Sequence, residues 1–124
     1  MASRSWFDKF ADAFRGIGVG MRGQNSFGVH LAMAAAVVVM AGILRVSLVE
    51  WCLLILSIVS VLAAELFNSA IERLAREVDR EHNPNVGAAL DIASGAVLMA
   101  AIGAAAVGSL IFGYRLGVML EWWR

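Results

Sequence analysis

The stretch "AELFNSAIERLARE", residues 64–77, decides the fold, because it stands at the end of an uncharged run at residues 51–64 and introduces the first charges after it. That run is apolar enough to enter a membrane, yet it ends in Glu65, Asn68 and Glu72. A carboxylate at membrane depth is costly, and ionisable residues retained there are functional more often than structural. The stretch therefore predicts a membrane-spanning helix that carries a polar site.

The composition of the whole chain agrees with a membrane location. Of its 124 residues, 60% are hydrophobic and only 16% are charged, which predicts a single membrane domain covering residues 1–124. Ten Lys and Arg residues balance ten Asp and Glu residues, so the charge does not point to a nucleic-acid partner. Cys52 is the only cysteine, which excludes an intrachain disulfide. The N-terminal residues lack the apolar segment of a cleavable signal peptide, so we expect them to remain in the mature protein.

Three apolar runs predict three membrane spans. Residues 92–114 carry no charge over twenty-three positions, and about 20 residues suffice to cross a hydrocarbon core. Residues 31–44 and 51–64 are shorter and reach spanning length only with polar neighbours. The six residues "RVSLVE" between them suit a tight hairpin. We predict transmembrane helices at about 28–47, 50–71 and 91–114.

The Lys and Arg residues predict the orientation of these spans. Four precede the first span, one lies in the hairpin, three lie in the second loop and two follow the third span. Because such residues concentrate on the cytoplasmic side, the N-terminus and the 72–91 loop are predicted to lie inside. Trp51, Trp122 and Trp123 then fall at the opposite interface, where indole rings favour the headgroup level.

Residues 1–23 predict a surface helix before the first span. Phe7, Phe10, Phe14 and Ile17 recur at three and four residues with charged residues on the other side. Such a helix can lie in the membrane interface or pack across a partner subunit, and the sequence leaves both open. The predicted fold is thus an all-α integral membrane protein: an amphipathic surface helix followed by three transmembrane helices.

The third span contains a stripe of small residues. The stripe consists of Ala96, Ala100, Ala104 and Gly108, spaced four residues apart. Small residues at this spacing let helices approach closely within a membrane. Packing within the chain and oligomerisation explain the stripe equally well.

The polar residues of the second span lie on one helical face. Counted from Glu65, Asn68 follows after three residues and Glu72 after seven, a spacing that places all three on one side of the helix. A carboxylate withdrawn from water can act as a general base toward a lipid hydroxyl at the same depth. A second carboxylate nearer the water can hold Mg²⁺ together with phosphate oxygens. His30, with no second histidine nearby, is interpreted as a residue at the membrane boundary.

Four segments give the chain a family resemblance. They are "AFRG" (13–16), "NSFGVH" (25–30), "ELFNSAIE" (65–72) and "ALDIASGAVL" (89–98). The sequence resembles the prokaryotic diacylglycerol kinase family, which includes undecaprenol kinases, over nearly its full length. The resemblance implies a small homotrimeric three-helix enzyme with active sites shared between subunits. It also implies transfer of the ATP γ-phosphoryl group to a lipid hydroxyl.

The resemblance also implies roles for individual residues. Glu65 would be the catalytic base, and Glu72 and Gln24 would be metal ligands. The residues expected near the nucleotide are Asn68, Asp91, Arg15 and Arg76. The chain departs from the family pattern at several of these positions: Gln24 replaces a usual Glu, Ala88 and Leu90 replace a usual Arg and Lys, and Arg76 stands where an Asp is usual.

Two functions of different classes follow. The first is an ATP- and Mg²⁺-dependent lipid kinase of the bacterial inner membrane, acting as a homotrimer on diacylglycerol or a polyprenol such as undecaprenol. The second is a non-catalytic relative that binds lipid or nucleotide, having lost ligands at Gln24 and Leu90. A small transporter subunit or channel is a third reading, but it predicts polar residues along more than one span, and the first and third spans carry almost none.

Overall fold

The computed structural model describes residues 4–22, 25–78 and 83–121, and this part of the chain is helical. The helices are α1 (Trp6–Met21), α2 (Asn25–Ile43), α3 (Leu48–Arg76) and α4 (Pro84–Met119). Among the described residues, α2 from Ser26 onward, α3 and α4 are long and apolar enough to cross a membrane. The predicted all-helical, multi-pass membrane architecture is confirmed at this level. Trp122 and Trp123 lie outside the described residues.

Helix α1 begins at a polar cap and presents its apolar residues outward. The Ser5 hydroxyl accepts a hydrogen bond from the Asp8 amide at 3.1 Å, which satisfies an amide that the first helical turn leaves unpaired. The four apolar residues predicted to share one face, Phe7, Phe10, Phe14 and Ile17, are all exposed. The helix therefore exists, while its attachment to a membrane interface stays a prediction.

The hairpin between α2 and α3 is short because both of its ends are fixed locally. Arg45 adopts a left-handed backbone conformation with φ of 53°, which turns the chain immediately after α2. The Ser47 hydroxyl accepts the Glu50 amide, and Glu50 Oε1 accepts the Ser47 amide at 2.8 Å, forming a capping box. The turn lies at residues 44–47, and the last three residues of the predicted hairpin, 48–50, form the first turn of α3.

Helix α4 extends beyond the apolar run that predicted it. Asn83 caps it by accepting the Asn85 amide at 3.0 Å, and Pro84 occupies the first turn, where its missing amide hydrogen costs nothing. Helix α3 likewise continues to Arg76. Apolar runs predict only the part of a helix inside a membrane, so the position of the membrane along these helices stays a prediction.

Helix α3 is the centre of the bundle. It packs most extensively on α4 and also contacts α1 and α2. Near the hairpin, the buried side chains of Ala41, Val46, Leu54 and Ile111 form an apolar core cluster. Most large apolar residues elsewhere on the spans face outward, as expected for helices surrounded by lipid or by other subunits.

An ion pair ties α3 to α4 beside this core. The Arg115 guanidinium donates to Glu50 Oε1 from both Nε, at 2.7 Å, and a terminal nitrogen. The Glu50 carboxylate belongs to the capping box as well, so one side chain joins the hairpin and the last helix. This pair fixes the end of the bundle opposite to Glu65.

Candidate functional site

The centre of the candidate site is the Glu65 carboxylate, which is 4% exposed. Its two oxygens face α2, where each has its own polar partner. The Ser26 hydroxyl donates to Oε2 at 3.1 Å, and His30 Nε2 lies 3.0 Å from Oε1. When Glu65 is ionised its carboxylate only accepts hydrogen bonds, so His30 makes this contact in the tautomer that carries the hydrogen on Nε2. Two donors from the first span therefore hold a buried acid of the second.

Asn68 and Glu72 form a second polar group one to two turns along α3. Asn68 Nδ2 donates to Glu72 Oε1 at 2.9 Å, the expected contact for side chains four residues apart on a helix. The Asn68 Oδ1 atom is buried without a hydrogen-bond partner among the described residues. A buried amide oxygen beside a carboxylate has the chemistry of a hard-cation ligand pair.

No complete metal cluster forms within the described part of this chain. Among residues 4–22, 25–78 and 83–121, no group of three or more His, Cys, Asp and Glu side chains is arranged to hold a metal ion. Gln24, the other predicted ligand, lies outside the described residues. Asn68 and Glu72 each carry an oxygen that could serve as a ligand, and Asn68 turns its Nδ2 rather than its Oδ1 toward Glu72.

A pocket of about 410 Å³ lies between α1 and α3. Arg15 and Arg73 line it from the two helices, together with Asp12, which accepts a hydrogen bond from Arg15 at 2.9 Å. The Ser69 side chain also lines the pocket; it is 2% exposed, and its hydroxyl oxygen has no hydrogen-bond partner among the described residues. The pocket therefore combines two guanidinium groups with a buried hydroxyl.

A second cavity, of about 320 Å³, lies among α2, α3 and α4 and is almost entirely apolar. His30 and Ser109 are its polar lining residues, and Ala104 and Gly108 of the predicted small-residue stripe lie in its wall. These small side chains leave space between the helices, and the role of the stripe in helix packing stays a prediction. Because His30 also contacts Glu65, the cavity adjoins the buried carboxylate.

The structure brings some of the predicted site residues together and leaves others apart. Asn68 and Glu72 are bonded to each other, whereas Glu65 of the same predicted stripe faces α2. Arg15 lines the pocket between α1 and α3. Arg76 is exposed at the end of α3, and Asp91 is exposed on α4. The catalytic, metal-binding and nucleotide-binding roles of all these residues remain predictions.

Sequence reasoning missed three polar residues of the site: Ser26, His30 and Ser69. The interpretation of His30 as a simple boundary residue was incomplete, because its ring contacts Glu65. One signal was available in "NSFGVH", where Ser26 and His30 are four residues apart and so share a helical face. Nothing in the sequence pairs that face with Glu65, since the contact forms between two helices.

The fold and the site together define a multi-pass membrane protein with a buried acid and a polar pair on one helix. The model of the prokaryotic diacylglycerol kinase family matches residues 11–112. The chain belongs to this family, and the predicted resemblance is confirmed. Kinases that act on lipids are therefore its relatives, and a lipid kinase is the class of protein to which it is assigned.

Two curated relatives give this assignment more detail. The undecaprenol kinase of Bacillus subtilis is 36% identical over 107 residues, which cover 86% of this chain and 87% of the relative. The diacylglycerol kinase of a Synechocystis species is 31% identical over 103 residues, covering 82% of this chain and 59% of the relative. No solved structure matches the chain.

Proposed function

We propose that this protein transfers the γ-phosphoryl group of ATP to the hydroxyl group of a membrane lipid. The observation that carries the proposal is the Glu65 carboxylate, 4% exposed in a helix apolar enough to cross a membrane. Burying a carboxylate there is costly, and a lipid hydroxyl brought to it gives the buried charge a chemical role. Membership of a family of lipid kinases supports the same reaction.

Glu65 is the general base in this proposal. It accepts the proton of the lipid hydroxyl while the hydroxyl oxygen forms a bond to the γ-phosphorus. The bond between the γ-phosphorus and the bridging oxygen of ADP breaks in the same displacement. The products are the phosphorylated lipid and ADP, and Glu65 releases its proton before the next turnover.

Asn68 and Glu72 are the residues that would hold magnesium. A carboxylate and an amide oxygen suit this cation, which usually takes one or two carboxylates and completes its shell with waters and substrate phosphates. When bound, the metal neutralises charge on the transferring phosphoryl group. The axial rise from Glu65 to Glu72 is about 10 Å, so Glu72 lies nearer the end of α3. Gln24 is proposed as a further ligand by resemblance to the family.

The pocket between α1 and α3 is proposed to receive phosphates of ATP. Arg15 and Arg73 would donate to phosphate oxygens, for which the guanidinium fork is well suited. The buried Ser69 hydroxyl would donate a further hydrogen bond. Arg76 and Asp91 are kept as nucleotide-binding candidates on the strength of the resemblance alone.

Undecaprenol is the first candidate for the lipid, and diacylglycerol is the second. The undecaprenol kinase of Bacillus subtilis supports this order, because the match covers 87% of its length. The apolar cavity beside Glu65 also favours a plain hydrocarbon chain, because its wall offers few groups that could bond to ester carbonyls. Diacylglycerol remains the alternative because the second relative is a diacylglycerol kinase.

The proposed assembly is a homotrimer in the bacterial inner membrane with the N-terminus and the 72–91 loop in the cytoplasm. The distribution of Lys and Arg residues supports this orientation. It puts the polar end of α3 on the side where ATP is available. The outward-facing apolar residues of the spans leave surface for contacts between subunits, and shared active sites could supply ligands that one chain lacks.

The proposal is tested by incubating the purified protein with ATP, Mg²⁺ and either undecaprenol or diacylglycerol. Mass spectrometry should detect the phosphorylated lipid and ADP in equal amounts, with undecaprenol the better substrate. Omission of Mg²⁺ serves as the control. If neither lipid is phosphorylated by a folded protein, the kinase proposal is wrong. ATP or lipid binding without turnover would then favour the non-catalytic relative.

A further inference from the structure

The two α2 side chains that contact Glu65 divide its carboxylate between them. Ser26 donates to Oε2 at 3.1 Å, and His30 Nε2 lies 3.0 Å from Oε1, a hydrogen bond that His30 donates when its Nε2 carries the hydrogen. Ser26 and His30 are one helical turn apart, so they approach Glu65 from the same face of α2. With a donor at each oxygen, both the position and the plane of the carboxylate are fixed.

His30 differs from Ser26 because it also borders the apolar cavity among α2, α3 and α4. Its side chain is 19% exposed, and it lies between that cavity and the buried carboxylate. A carboxylate held on one side by the His30 ring keeps unshared electron pairs on its other sides. The ring can therefore direct the basic electron pairs of Glu65 without consuming them.

We propose that His30 is a positioning residue that orients the Glu65 carboxylate toward the lipid hydroxyl. This role rests on the proposed kinase function, in which Glu65 is the base. Transition-state geometry for proton transfer is narrow, and a displacement of about 1 Å can lower a rate by about 10²-fold. Loss of the Nε2 donor releases one carboxylate oxygen and leaves the acid a wider range of side-chain conformations.

The first test compares His30→Ala with His30→Gln. His30→Ala removes the donor and should lower kcat by about 10-fold to 10²-fold with little change in the KM for ATP. His30→Gln places an amide N–H near the former Nε2 position and should restore most of the lost kcat. Val29→Ala is the matched control: Val29 precedes His30 on α2, is 58% exposed, and should leave kcat unchanged. Equal losses in the Ala and Gln variants would overturn the positioning role.

A double-mutant cycle with Glu65→Gln separates positioning from a general effect on folding. If His30 acts through Glu65, His30→Ala should add little further loss once the carboxylate has been removed. A further loss equal to that seen in the parent would show that His30 acts independently, which overturns the inference. A fully active His30→Ala variant would do the same while leaving the kinase proposal intact. A parent that phosphorylates neither lipid would reject the kinase proposal and this role together.

A measurement that does not depend on turnover tests the contact itself. The chain contains two histidines, so ¹⁵N-histidine spectra of the protein in lipid nanodiscs are simple, and the His30→Gln variant assigns them. Glu65→Gln should shift the Nε2 resonance of His30, because the charged acceptor at 3.0 Å is replaced by a neutral amide. The other histidine serves as an internal reference. An unchanged His30 resonance would rule out the contact and with it the positioning role.

Discussion

Replacing Glu65 by Gln removes the proposed base while keeping the shape of the side chain. The Gln amide oxygen can accept from His30 Nε2, and the amide nitrogen can donate to the Ser26 hydroxyl, which accepts as well as donates. Both existing contacts can therefore be satisfied without movement of α2 or α3. We expect the folded protein and its ATP binding to be retained.

The expected kinetic effect is large because only the basic function is lost. A positioned general base contributes about 10²-fold to 10⁴-fold to a rate, which corresponds to about 2.7 to 5.4 kcal/mol of barrier height. Turnover of Glu65→Gln should fall by that factor, while the KM for ATP should change little. A raised KM for the lipid with turnover retained would instead point to a role in binding.

Glu65→Leu is the contrasting variant. It leaves the Ser26 hydroxyl and the His30 Nε2–H group facing an apolar side chain at a site that is 4% exposed. Each unsatisfied buried group costs about 1–3 kcal/mol, so this variant should lose stability as well as activity. Initial rates of lipid phosphorylation and thermal unfolding in detergent should be measured side by side. If Glu65→Gln keeps turnover within about threefold of the parent, Glu65 is not the base.

Three further predictions concern the metal, the topology and the packing of α1. Glu72→Gln should raise the Mg²⁺ concentration needed for half-maximal activity, because a carboxylate binds a hard cation more strongly than an amide does; an unchanged Mg²⁺ titration would exclude Glu72 as a ligand. With Cys52 replaced by Ser, Asn85→Cys should react with a membrane-impermeant thiol reagent only in inverted vesicles, and labelling in intact cells would reverse the proposed orientation. Gly20→Ala should change stability by less than about 1 kcal/mol, because the added Cβ would lie 2.6 Å from Leu66 Cδ2, the end of a flexible side chain that can shift, while alanine favours the helix over glycine. A loss above about 3 kcal/mol in thermal unfolding would show that Leu66 cannot move aside.

The length of the apolar runs correctly predicted which segments form helices, because a segment in lipid must make all of its backbone hydrogen bonds internally. It was a poor predictor of where those helices end. Helix α4 begins at Pro84, well before its apolar run, because Asn83 provides a cap and Pro suits the first turn. Helix α2 ends at Ile43, earlier than the predicted span, because Arg45 and the capping box at Ser47 reverse the chain there.

The candidate site was predictable where its geometry is local and unpredictable where it is tertiary. A hydrogen bond joins Asn68 to Glu72 across one turn of α3, and their spacing of four residues is enough to predict that contact. The donors to Glu65 lie 35 and 39 residues earlier in the chain, on another helix. Helical periodicity gives the face of each helix but not which faces meet, so His30 and Ser26 could not be paired with Glu65 in advance.

The Glu50 carboxylate implies an order of assembly during biosynthesis. Its Oε1 atom accepts from the Ser47 amide at 2.8 Å and from Arg115 Nε at 2.7 Å. The first partner emerges from the ribosome together with Glu50, whereas the second follows 65 residues later. The α2–α3 hairpin can therefore close its turn on its own as it enters the membrane. The last helix is fastened to it only after Arg115 has been translated, which makes insertion of α4 the step that completes the bundle.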